Sequence, residues 1–239
     1  MGALTGGFQT FGTPHLVAMA LTLVLPILLS LMAKRVGARA AAVVGFVLGG
    51  VLLGNELIHW GFRVAGYGPG VFLRYFLPLH LCGVATFLTS LTLLFHNQKL
   101  YEVAYFWGLA GSANAVITPG NLAVDYPEYR FFQYFFSHSG IVAGVLYATW
   151  GLKMRPTPGG LFRAFLWLHV LAAVAAIVNL LSGSNYMYLS SPPWGTVSPF
   201  FFLPWPWYLV FLDVIGLAMF FLVYAPFPIA RWWESRGSA

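Results

Sequence analysis

The chain holds one cysteine, Cys82, and six histidines. The chemistry it could perform depends on how these residues fall relative to one another. A thiol becomes a nucleophile when a base or a cationic neighbour draws off its proton. His80 is close in sequence, but residues i and i+2 lie about 200° apart on a helix and do not share a face. A base for Cys82 is therefore expected from another helix, and His138 is the best placed by depth. His80 would then orient the site or bind substrate, with Glu56, Asn114 or Asp213 as its neighbour. Asn114 and Asn179 offer amide donors at a depth suited to a tetrahedral oxyanion. Asn55 and Glu56 both share a helix face with His59, and a Glu56–His59 contact serves either as structure or as a proton path. Blander readings stand beside these. A lone cysteine in a membrane helix commonly packs as a small residue. A histidine can bond a carbonyl in a core, and buried polar groups join helices for about 0.6–2 kcal/mol each.

Other chemistries find less support. His80, Cys82 and His138 lack a helical metal-ligand spacing such as His at i and i+4, and no metal or other cofactor is expected. Lys34, Lys99 and Lys153 all fall between spans, which argues against a Schiff-base lysine of the retinal-protein kind. The chain has no Gly-rich phosphate loop and no dinucleotide fingerprint.

The elements that must position these residues follow from composition. The 239 residues are 59% hydrophobic and 8% charged, against about 25% charged for soluble domains. A soluble globule of this size could not keep so much apolar surface from water. Disorder needs few apolar groups and many charges, and one cysteine excludes a disulfide scaffold. The net charge of +6 rests on twelve basic and six acidic residues, too scattered for a nucleic-acid footprint. An all-α, polytopic membrane protein remains, with membrane lipids as its surroundings.

A span needs about 20 mostly apolar residues. Seven are read, at roughly 13–33, 41–62, 75–95, 100–117, 131–152, 162–182 and 205–225, in a single transmembrane domain over 1–239. With the N-terminus outside, inner segments carry nine Lys and Arg residues and outer segments only Arg63, Arg74 and Arg130. The positive-inside rule then gives a seven-helix bundle with its N-terminus outside and C-terminus inside. Positive charges follow the first apolar run at Lys34 and Arg35, so it reads as a span and not as a cleavable signal peptide. The expected location is a bacterial inner or plasma membrane. Gly45/Gly49, Gly50/Gly54 and Gly140/Gly144 permit close helix approach.

This orientation places His15, Asn55, Glu56, His59, His80, Cys82, Asn114, His138, Asn179 and, somewhat deeper, Asp213 in the outer half. His169 and Glu102 fall in the inner half. Intramembrane polar residues usually face the bundle interior, so a polar cavity toward the outer leaflet is expected. The uncharged, proline-rich segment 183–204, with Asn185, Tyr186, Met187, Tyr188 and Trp194, reads either as a cap on that cavity or as a loose interfacial loop.

Three blocks carry a family resemblance: Pro78-Leu79-His80-Leu81-Cys82, Ser137-His138-Ser139-Gly140 and Asn185-Tyr186-Met187-Tyr188-Leu189. The chain resembles the bacterial YwaF-like integral membrane proteins, whose eukaryotic relatives include an acyltransferase that remodels ether phospholipids with a cysteine. More distantly it is similar to the androgen-induced membrane hydrolases. The resemblance implies Cys82 as nucleophile, His138 as its histidine, and the Asn185–Tyr188 stretch as lining or capping the site. Ser190-Ser191-Pro192-Pro193 stands where a lysine-proline pair is common in the family, which weakens an anionic headgroup contact at that point. Together these readings imply an acyltransferase or lipid hydrolase acting on phospholipid acyl esters. The alternatives are a transporter or binding protein for a small solute or lipid, and a structural or assembly factor.

Overall fold

The structure is a computed structural model that describes residues 8–120, 122, 124–193 and 200–237. Trp194 and Pro199 of the proline-rich segment lie outside the described residues, which are helical and contain no strand. In order they form α1 (Thr13–Val36), α2 (Ala38–Tyr75), α3 (Leu81–Phe95), α4 (Gln98–Trp107), a π-helical turn (Gly108–Ser112) and α5 (Ala113–Ile117). After these come α6 (Tyr129–Trp150), α7 (Pro158–Ser182), a 3₁₀ turn (Tyr186–Tyr188), α8 (Trp207–Tyr224) and α9 (Pro226–Gly237). Each of the seven expected spans has a helix in its place. Four stretches are long and apolar enough to cross a membrane: α1, α2, α7 and Trp207–Arg236.

The helix ends follow local chemistry. Asn97 caps α4, its side chain accepting from the Lys99 and Leu100 amides, which would otherwise lack partners. Thr157 caps α7 by accepting from Gly160, with Pro158 at the first helical position. Gly37 and Gly183, both at positive φ, end α1 and α7.

The boundaries differ from the sequence reading in four places. The second helix continues past residue 62 to Tyr75, broken at Gly68 (φ 77°), where Pro69 follows. The third begins at Leu81 and not at residue 75, because residues 76–80 around Pro78 leave helical geometry. Its 15 residues span only about 22 Å at 1.5 Å per residue, short of the ~30 Å hydrocarbon core. The fourth is one helical run through α4 and α5 with a π turn inside it. Beyond the seventh lies α9, where Arg231, Trp232, Trp233 and Arg236 stand exposed.

Helices α3, α4 and α6 form the packed centre, around Tyr101, Phe106, Trp107, Ile141, Tyr147 and Ala148. By contrast α1, α2, α7 and α8 present long exposed apolar faces, as lipid-facing helices must. Glycine sets the closest approaches. A Cβ at Gly49 would stand 2.8 Å from the Ser90 carbonyl oxygen, and one at Gly144 would stand 2.6 Å from Thr89 Cγ2. Gly45 and Gly140 also face neighbouring helices, whereas Gly50 and Gly54 face open space. That pair does not serve helix packing as the spacing suggested.

Candidate functional site

Helices α2, α3, α5, α6, α7 and α8 enclose a cavity of about 1200 Å³, larger than the 300–1,000 Å³ typical of small-molecule sites. Cys82, His138, His80, Asn114, Glu56, His59 and Asp213 all line it. Cys82 is the second residue of α3, and it and His138 on α6 line the same cavity, near enough to interact electrostatically. Nδ1 of His138 is 2.8 Å from the Tyr134 carbonyl oxygen. A carbonyl only accepts, so Nδ1 carries the proton, and Nε2 presents its lone pair. The Tyr134 ring stacks on the imidazole at 4.2 Å and fixes its plane. Glu56, one helix away, lies close enough to feel the charge on His138.

The π turn supplies a residue that sequence reading missed. Ser112 ends that turn, is fully buried, and sits beside the Cys82 thiol with no conventional hydrogen bond of its own. Buried hydroxyls without partners are uncommon. The turn inserts an extra residue into the helix, and π bulges recur at functional sites. Asn114 donates to the Ala110 carbonyl inside the same bulge at 2.7 Å. That uses one of the two amide N–H donors of Asn114. Gly111 faces α3, where a Cβ would stand 2.4 Å from Leu81 Cδ2 and push that side chain aside. The run Gly108-Leu109-Ala110-Gly111-Ser112 was the available signal, since small residues allow such a bulge to pack.

His80 differs from expectation in its partners. It is the N-cap residue of α3, outside helical geometry, and its ring contacts Tyr186 and Tyr188. Its Nδ1 accepts from the Met187 amide at 3.3 Å. It therefore ties α3 to the 3₁₀ turn and, among the described residues, makes no hydrogen bond with Glu56, Asn114 or Asp213.

The capping segment divides into two roles. Asn179 and Tyr186 bond each other twice: the Asn179 amide donates to the Tyr186 carbonyl at 3.0 Å, and the Tyr186 amide donates to Asn179 Oδ1 at 2.7 Å. The Tyr186 hydroxyl accepts from Leu77 and donates to Leu73. Asn185 closes its own loop onto Ser190 and Ser191. None of these three lines the cavity, so Asn179 faces the loop and not the cavity. Met187, Tyr188 and Leu189 turn toward the cavity in their place. The segment caps the site over its described part, and the loose-loop alternative falls away there.

Asp213 on α8 pairs with His169 on α7 at 3.2 Å, and both line the cavity. His169 was expected in the other half of the bundle. It is the twelfth residue of the 25 in α7, so the cavity reaches mid-helix. His15 lies outside the cavity, its Nε2 2.7 Å from the Val116 carbonyl. Among the described residues, no group of three or more His, Cys, Asp or Glu side chains could hold a metal ion.

The chain matches the TMEM164 family over residues 10–224. It belongs to that family. It is also similar to an uncharacterized protein of Treponema pallidum (strain Nichols), with 30% identity over 234 residues, 93% of this chain and 91% of the relative. No solved structure matches it. In this TMEM164-family chain the match runs from before α1 to the last residue of α8. It takes in every cavity residue named above and leaves α9 outside. Its apolar helices fit a membrane lipid environment.

Proposed function

We propose that this protein is a membrane-embedded acyltransferase or lipid hydrolase acting on phospholipid acyl esters through Cys82 and His138. In this reading it is a seven-span bundle of a bacterial inner or plasma membrane, N-terminus outside and C-terminus inside, and the cavity takes lipid from the outer leaflet. The observation that carries the proposal is that the one cysteine and an imidazole held by the Tyr134 carbonyl line the wall of one large, mainly apolar cavity.

The residues support the following sequence. Nε2 of His138 takes the Sγ proton as Sγ attacks the ester carbonyl carbon. Negative charge develops on the carbonyl oxygen, where the second amide N–H of Asn114 is a candidate donor. The carbon–oxygen bond breaks, His138 returns the proton to the departing alcohol, and Cys82 holds the acyl group as a thioester. A lyso-lipid hydroxyl or water then gives its proton to His138 and takes the acyl group, and His138 passes the proton to the released Sγ of Cys82. Replacing Cys82 with alanine and assaying acyl transfer or release on phospholipid with purified protein tests the proposal. Loss of activity with retained folding supports it, and full activity overturns the mechanism.

A transporter is the second reading, favoured by one feature. The His169–Asp213 pair lies near mid-helix, where carriers place their sites. Solute flux into vesicles that survives Cys82→Ala and fails in Asp213→Asn would favour it.

A further inference from the structure

A second cavity, a groove of about 800 Å³, runs between α1, α2 and α6. Val17, Leu21, Leu25 and Phe132 along it are exposed, so it opens sideways to the hydrocarbon of the bilayer. No charged side chain among the described residues lines it. Thr22 and Ser139 in its wall hydrogen bond to each other at 2.7 Å. Asn55 and Gln133 behave differently. The Asn55 amide donates to Ser137 Oγ at 3.3 Å, and the Gln133 amide donates to the same oxygen at 3.2 Å. Ser137 is buried and lines the catalytic cavity beside His138, whereas Gln133 lines both cavities. These three residues form a polar seam where the two cavities adjoin. Ser137 Oγ accepts twice, which uses both of its lone pairs. Among the described residues no donor reaches Asn55 Oδ1 or Gln133 Oε1, and no acceptor takes the Ser137 hydroxyl proton. A ligand group that both donates and accepts satisfies this set, as an alcohol does. The esters of a diacyl lipid only accept.

Depth fits one acyl chain. From Gln133 to Gly144 the groove follows α6 for eleven residues, about 16 Å at 1.5 Å per residue. That is close to half of the ~30 Å hydrocarbon core, the share of a single leaflet. We infer that the groove holds the chain of a single-chain lipid whose free hydroxyl sits at the Asn55–Gln133–Ser137 seam, and that this lipid is the acyl acceptor. The acceptor role rests on the reading that Cys82 carries an acyl group. The seam then presents the hydroxyl at the edge of the cavity where the thioester forms, while the donor lipid occupies that cavity.

Full-length protein in phosphatidylcholine nanodiscs is loaded with a monoacylglycerol bearing a diazirine near its chain end, with its twin methylated at both hydroxyls, or with the matching fatty acid. After illumination, labelled peptides are identified by mass spectrometry. The monoacylglycerol is expected to label the groove segments of α1 and α6 at least about threefold more than its methylated twin, as one or two net hydrogen bonds allow. Gln133→Leu should erase that difference. Ala143→Phe, which fills the inner part of the groove and leaves the seam alone, should lower groove labelling and keeps the test open if Gln133→Leu fails to fold. Ala143→Phe should also raise KM for a monoacyl acceptor severalfold without slowing acylation of Cys82 by donor lipid. Equal labelling by the two twins means ordinary boundary lipid and overturns the site. Stronger labelling by the fatty acid assigns the groove to the released acid and overturns the acceptor, as does an unchanged KM in Ala143→Phe. Labelling needs no thiol and should persist in Cys82→Ala. An active Cys82→Ala defeats the enzymatic reading, and the acceptor role with it, while the hydroxyl preference of the groove stands.

Discussion

Two polar clusters lie at opposite ends of the bundle, and they are built differently. At one end Glu102 is almost fully buried, yet its carboxylate is crowded with partners. Arg163 pairs with it, Thr157 donates to Oε1 at 2.6 Å, and Gln98 donates to Oε1 at 3.2 Å. A Cβ on Gly160 would stand 2.3 Å from Glu102 Cδ, so backbone closes the remaining side. None of these residues lines the cavity described above. At the other end Cys82, His138 and Glu56 line a large cavity, and Ser112 stands buried beside the thiol with no conventional hydrogen bond of its own. A saturated cluster locks helices together, whereas an unsaturated one beside a cavity is equipped to act on something that enters. The second cluster argues against a purely structural role for the protein.

This contrast can be broken by substitution, because loss at one end should read out as activity and at the other as stability. Cys82→Ala should lower acyl transfer by about a thousandfold or more and leave the melting temperature within about 2 °C, checked by lipid assay and thermal unfolding in detergent. His138→Gln removes the base, and a loss of about 10²–10⁴-fold is expected. Arg163→Ala should do the reverse. It strands a buried carboxylate at a cost of about 2–3 kcal/mol, discounted because Arg163 is more than a third exposed. Its melting temperature should fall by several degrees while acyl transfer per folded molecule stays within about threefold. Ser112→Ala makes the finest distinction. If the hydroxyl serves the thiol, activity should fall about fivefold, yet stability should hold or rise because an unsatisfied buried hydroxyl is removed. A stability loss in Ser112→Ala without an activity loss would make Ser112 a packing residue.

Much of this was legible in the sequence. Hydrophobic runs placed a helix at each expected span, since about 20 apolar residues with few charges have little alternative. Depth pointed from Cys82 to His138, because spans that run in the same direction hold residues near their N-terminal ends at one level, and both line one cavity. Three features escaped. The π turn depends on small residues that periodicity does not register, so Ser112 went unseen. The break at Gly68 and the irregular stretch before Leu81 depend on how Pro69 and Pro78 are resolved in three dimensions. This moved His80 off the helix and gave it Met187 as a partner. Asn179 looked like a site residue because polar groups in a membrane usually face a cavity, and Asn185 because it stands in a block that carries the family resemblance. They satisfy a loop backbone instead, a need that residue type does not reveal.

The central claim is that Cys82 carries the acyl group, and intact-mass spectrometry tests it most directly. Purified protein is mixed with excess phospholipid, quenched in acid during turnover, and weighed whole and after proteolysis. The account predicts an added mass of one acyl chain on the peptide containing Cys82, removed by hydroxylamine as a thioester is, and absent from Cys82→Ala. Acyl turnover at the wild-type rate with no such adduct, and undiminished in Cys82→Ala, would contradict it.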